Sequence, residues 1–94
     1  MNAKAKGNRT EHKTIALLEA EGYRCTRAAA SLGVFDVIGV GLFDVVLVQV
    51  KANRWPGAAE MEAIRQFPAP PTVRKVVHRW LDGQSAPNIR RVNP

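Results

Sequence analysis

Asp36, Gln49 and Lys51 stand in the stretch FDVIGVGLFDVVLVQVK, residues 35–51, which is otherwise the vocabulary of a buried β-hairpin. A carboxylate, an amide oxygen and an ammonium brought together could serve phosphodiester hydrolysis. Oxygen ligands hold a hard divalent cation, which polarises a phosphate and lowers the pKa of a bound water. A lysine beside it stabilises charge on the transition state or orients the attacking water. Glu11 adds a second carboxylate, at the N-terminal end of an apolar helical stripe through Ile15 and Leu18. Each of these residues alone has an ordinary explanation. Asp36 suits a strand start, Gln49 a polar edge, Lys51 a solvated strand end and Glu11 a helix cap; the combination points to chemistry.

Whether the residues meet depends on the hairpin. Side chains alternate along a strand, so Val45, Leu47, Gln49 and Lys51 share one face, while Asp44, Val46, Val48 and Val50 share the other. Gln49 and Lys51 then lie about 6.6 Å apart along one side of the sheet. An even turn centred on Leu42 and Phe43 puts Asp36 opposite Gln49, and one centred on Gly41 and Leu42 puts it diagonal. A three-residue loop or a bulge would reverse that parity. Asp44 faces the other way in either even register and is left to the turn.

The rest of the chain supplies the frame. Residues 1–8 read as a flexible basic arm, followed by a single domain over 9–94. Asn8 and Glu11 resemble a capping box opening a helix that runs to Gly22. YRCTRAA suits an edge or half-buried strand, and AAASLG breaks it before the hairpin strands at 33–40 and 41–48, whose turn lies between Val40 and Asp44. Pro56 suits the first turn of a second helix carrying Met61, Ile64 and Phe67 at core spacing. PAPP at 68–71 ends that helix; TVRKVVHRWL and NIRRV read as two further strands. The expected order is αβββαββ.

Composition narrows the function classes. Fourteen Lys and Arg against eight Asp and Glu give a net charge of +6 over 94 residues, which favours a polyanionic partner, nucleic acid before membrane surface. The single cysteine, Cys25, rules out an internal disulfide and a cysteine metal cluster, and it suits a small buried role in a reducing compartment. MNAKAKGNRTEHK has no apolar signal core, and no run approaches the ~20 apolar residues of a membrane span. The expectation is a cytoplasmic protein, in the host cytoplasm if viral.

TEHKTIALLEAEGYRCTRAAASLGVFDVIGV, followed by VVLVQVK, resembles the PD-(D/E)XK nuclease superfamily, in particular its archaeal and phage-type Holliday junction resolvase branch. The likeness spans residues 9–51: a Glu in the first helix, Gly-aromatic-x-x-x-Arg, Ser-x-Gly, Phe-Asp-Val, then a hydrophobic strand ending in acid-or-Gln, x, Lys. It implies a restriction-endonuclease-like α/β core, a mixed and mostly antiparallel sheet flanked by helices. It further implies Mg²⁺, with Mn²⁺ as a substitute, held by Asp36, Gln49, the carbonyl of Val50 and Glu11. Lys51 would be the catalytic lysine and Ser31 a loop hydroxyl at the scissile phosphate. Arg9, His12, Arg27 and Arg54 would lie along the DNA backbone. Gln49 stands where many members carry Glu; it offers an oxygen without charge and should bind Mg²⁺ more weakly.

The expected activity is a metal-dependent endonuclease on branched DNA, four-way junctions above all, with no small-molecule cofactor and no membrane. A homodimer suits paired cuts. The alternatives are a non-catalytic DNA-binding module of the same fold and a nuclease for flaps or other structures. Arg65, Arg74, Lys75, Arg79, Arg90 and Arg91 offer further basic surface, with His78 also expected at the surface. Trp55 is read first as a packing residue, and Trp80 as core or interface.

Overall fold

The structure, a computed structural model, describes residues 3–28 and 32–92, with side chains from Asn8 onward. Helix α1 (Ala3–Ala20) precedes strands β1 (Arg24–Arg27), β2 (Val37–Val40) and β3 (Val45–Ala52). Helix α2 (Ala58–Gln66) then leads to β4 (Val73–Trp80) and β5 (Asn88–Arg91), which gives the expected αβββαββ order. The strands form one sheet in chain order, β1-β2-β3-β4-β5. Three of its pairs are antiparallel, and β3 with β4 is parallel, joined by the crossover through α2. The sheet is therefore mixed and mostly antiparallel, with helices against it.

Alternation along β3 sorts the core into two layers. Val46 and Val48 pack with Val37, Val76 and Leu18 of α1, while Leu47 packs with Phe35, Val77, Val92 and Ile64 of α2. Trp80 is buried, Cys25 is half-buried against the first layer, and Met61 and Phe67 flank Ile64 in the second. The odd-numbered face of β3, which carries Gln49 and Lys51, thus looks toward α2.

Helix α1 starts at Ala3, not at Asn8, so residues 3–8 of the expected arm are helical. Lys and Ala are strong helix formers, and nothing in AKAKG stops a helix firmly. Asn8 does not cap: its Oδ1 accepts a bond from Arg27 Nη2 at 2.7 Å. The far end behaves as expected. Tyr23 N–H donates to Leu18 C=O and Gly22 N–H to Glu19 C=O, a Schellman closure that needs the positive φ (99°) glycine supplies. Helix α2 begins after Gly57, two residues beyond Pro56.

Two residues expected at the surface are interior. Lys75, 4 % exposed, sends its ammonium to the carbonyls of Arg65 and Phe67 and so closes the C-terminal end of α2. His78, 2 % exposed, is a core residue rather than a surface one, because β4 is an inner strand between β3 and β5. Its Nδ1 lies 3.2 Å from Thr14 Oγ1, and Trp80 Nε1 donates to the same oxygen at 2.8 Å. Burial first, then the charge of Arg74, holds the His78 pKa down at about 4.

Candidate active site

The hairpin turn settles the register. Val40 pairs with Val45 and Val37 with Val48, which leaves four loop residues centred on Leu42 and Phe43. Gly41 turns under the Tyr23 ring, where a Cβ would come within 2.8 Å of Tyr23 Cε1. Asp44 stays in the turn: it accepts from Tyr23 Oη at 2.7 Å and from Arg74 Nε at 2.9 Å. Those bonds hold the Asp44 carboxyl below its usual range and spend Arg74 on the hairpin's base rather than on a phosphate surface.

Continuing the ladder would set Asp36 opposite Gln49, but Asp36 departs from it. Val37 already pairs with Val48, and the Asp36 amide also donates to the Val48 carbonyl at 2.8 Å. This doubling turns the Asp36 side chain along β3, where Oδ2 accepts the Val50 N–H at 2.8 Å. A residue's N–H and C=O leave a strand on the same edge, so the Val50 carbonyl also faces β2's side, past that strand's end.

Gln49 is 6 % exposed and directs Nε2 to Glu60 Oε2 at 3.1 Å, while its Oε1 is buried with no hydrogen-bond partner. Lys51 Nζ lies 3.5 Å from Glu60 Oε1. Glu11 belongs to the same group from the other helix: its Oε1 accepts from Arg27 Nε at 2.8 Å. Asp36 feels them all. Burial raises its pKa most and the charges of Glu11 and Glu60 raise it further, against the Val50 hydrogen bond and Lys51, which lower it.

The structure thus gathers Glu11, Arg27, Asp36, Gln49, Val50 and Lys51 at one end of the central strands. Arg9, His12 and Arg54 are exposed, and Ser31 lies outside the described residues. Sequence reasoning missed Glu60. The signal was present: Glu60 sits four residues before Ile64, the fully buried residue of α2, and so shares its sheet-facing side.

No three His, Cys, Asp or Glu side chains are grouped to hold a metal ion among the described residues. The oxygen donors on offer are of mixed kind: the Asp36 carboxylate, the Gln49 amide and the Val50 carbonyl. That set suits a hard divalent cation, and the orphaned, buried Gln49 oxygen fits such a ligand.

Basic and aromatic residues continue beyond this cluster. The Arg79 and Arg90 guanidinium carbons lie 4.5 and 4.2 Å from the Trp55 ring centroid. Trp55 is partly buried against the α2-side core, consistent with a packing role.

No protein-family model matches the chain, and no curated protein sequence matches it. Among solved structures it is similar to Hjc of Archaeoglobus fulgidus, described as a Holliday junction resolvase from an archaeal hyperthermophile. The TM-score is 0.76 at 21% identity, over 93% of this chain and 73% of that one. The chain therefore has the fold of an archaeal Holliday junction resolvase, the α/β core expected from the PD-(D/E)XK resemblance.

Proposed function

We propose that the protein is a metal-dependent endodeoxyribonuclease that cuts four-way DNA junctions as a homodimer. The observation that carries this reading is the meeting of Asp36, the orphaned Gln49 oxygen and Lys51 at the open end of β2 and β3, in a fold shared with a junction resolvase. Asp36, Gln49 and the Val50 carbonyl would hold Mg²⁺ or Mn²⁺, which supplies phosphate polarisation and a more acidic bound water. Lys51, on the same face two residues on, would offset charge on the phosphate oxygens. Arg27, held from two sides by Asn8 and Glu11, keeps a guanidinium edge oriented for the phosphate backbone. The net charge of +6 favours DNA in general, and selection of a junction follows from dimer geometry: symmetric resolution needs two cuts by two copies of one site.

One observation favours a second reading, a DNA-binding module without catalysis. Gln49 brings no negative charge where nuclease sites of this kind often carry Glu. Both readings meet in one experiment, in which labelled four-way junction, flap and linear duplex are incubated with protein in Mg²⁺ or EDTA, beside Asp36→Asn. Paired nicks across the junction, lost with EDTA and in the variant, are expected. Tight junction binding without nicks in Mg²⁺ or Mn²⁺ would favour the binding module, and preferential flap or duplex cleavage would reassign the substrate. Light scattering of the free protein is expected to give a dimer mass.

A further inference from the structure

Gln49 raises a question of charge. A divalent cation among Asp36, an amide and a carbonyl meets one formal negative charge, and uncharged oxygen ligands hold it less firmly than carboxylates do. Glu60 stands one hydrogen bond away. Its Oε2 accepts from Gln49 Nε2 at 3.1 Å, and its Oε1 faces Lys51 Nζ at 3.5 Å.

These contacts do two things. A carboxylate can only accept, so it selects the amide's nitrogen edge and forces the amide oxygen to the opposite side. That opposite oxygen is the buried atom with no partner, on a side chain only 6 % exposed. The orphan is therefore a direct result of the Glu60 contact. The same carboxylate reaches the lysine of the cluster through its other oxygen, so one negative charge sits against both Gln49 and Lys51. Glu60 itself comes from the first turn of α2, whose far end is closed by Lys75 and whose Ile64 is fully buried, so the carboxylate is carried on a fixed element.

We infer that Glu60 is a positioning residue of the cation site. It orients Gln49 so that Oε1 becomes a ligand, and it restores through one hydrogen bond the charge that Gln49 lacks. This rests on the metal-site reading above and adds to it a residue on a different element. Lys51 is drawn into the same arrangement, since Glu60 bridges the ligand and the lysine and fixes the spacing between them.

Calorimetric titration of Mn²⁺ into the DNA-free protein at neutral pH tests this without relying on cleavage. Wild type, Asp36→Asn, Glu60→Gln and the exchange Gln49→Glu with Glu60→Gln are compared, with melting temperatures taken on each. Expected is binding by wild type, its loss in Asp36→Asn, and a weakening of about tenfold to a hundredfold in Glu60→Gln. The exchange, which moves the carboxylate to position 49 and the amide to 60, should recover most of that loss. A purely structural Glu60 would lower melting in both Glu60→Gln proteins and give no recovery on exchange. Wild-type affinity in Glu60→Gln, or equal weakness in the exchange, overturns the role of Glu60 while Asp36→Asn still reports the metal site. Absence of Mn²⁺ binding in wild type, or its persistence in Asp36→Asn, overturns the metal reading and Glu60's role with it.

Discussion

Asp36 reaches past the end of its own strand to take the backbone N–H of Val50, 2.8 Å away on the neighbouring one. The bond closes the gap where β2 stops pairing. It also holds a half-buried carboxylate between Glu11 and Glu60, an arrangement that favours the neutral acid. The position carries a cost in the metal-free protein, which a cation bound as proposed would offset.

That conflict gives a prediction on Asp36→Asn. The amide keeps an oxygen for Val50 and removes the buried charge, so the metal-free variant should melt no lower than wild type at neutral pH while losing Mn²⁺ affinity. Thermal denaturation with and without Mn²⁺ checks both halves; a marked drop in metal-free melting temperature would contradict the account.

The pH dependence of cation binding follows from the same shift. The folded pKa lies above the ordinary 3.8, so protons compete with the cation at higher pH than they would for a free aspartate. For the metal-free protein the sign is opposite to that of a salt-bridged acid: the folded state holds the proton more tightly, so this group adds stability as pH falls through the folded pKa. Mn²⁺ titrations at a series of acidic pH values should lose affinity before an exposed-carboxylate control does.

His78 works in the other direction. Its pKa is about 4 when folded and 6.5 when free, so the unfolded chain takes up the proton first. Its contribution is complete above 6.5 and disappears as pH falls toward 4, at a slope of at most about 1.4 kcal/mol per pH unit. Urea unfolding across that window should show the slope in wild type and a flatter profile in His78→Gln.

Lys75 is a packing cation. Truncation to Met leaves the Arg65 and Phe67 carbonyls without their donor in a closed interior, which should cost about 1–3 kcal/mol in denaturant unfolding. Because α2 carries Glu60, Mn²⁺ affinity should fall as well.

Trp55 with Arg79 and Arg90 offers a spectroscopic handle on DNA binding. Arg90→Ala should weaken binding to junction and duplex alike and lower the salt slope of affinity by about 1, as loss of one phosphate contact does. In a Trp80→Phe background, Trp55 emission should change on DNA addition.

Much of this was legible in the sequence where one physical rule acted alone. Alternation placed Gln49 and Lys51 on one face, the four-residue turn placed Asp36 near them, and Gly22 ended the first helix as its φ demands. Readings failed where tertiary context decided. RKVVHR carries charge on both faces of a strand, and only its inner place in the sheet explains why Lys75 and His78 are interior. Asn8 and Glu11 have the spacing of a capping box and are instead the two acceptors of Arg27, sixteen and more residues along the chain. The spacing of Glu60 to Ile64 marks the sheet-facing side of α2, but its pairing with Gln49 and Lys51 is set by the crossover and not by that local pattern.

The sheet's spatial order repeats its order along the chain, and its one parallel pair is bridged by residues 53–72. Each antiparallel strand can zip onto the neighbour just laid down, across a short turn or loop. Docking β4 must instead close the whole crossover before any pairing is gained, so the largest loop entropy in the topology falls there. Folding speed is thereby tied to α2, the helix that also presents Glu60, and a chain that has not completed this step has neither its inner strand nor its full complement of charge around Gln49.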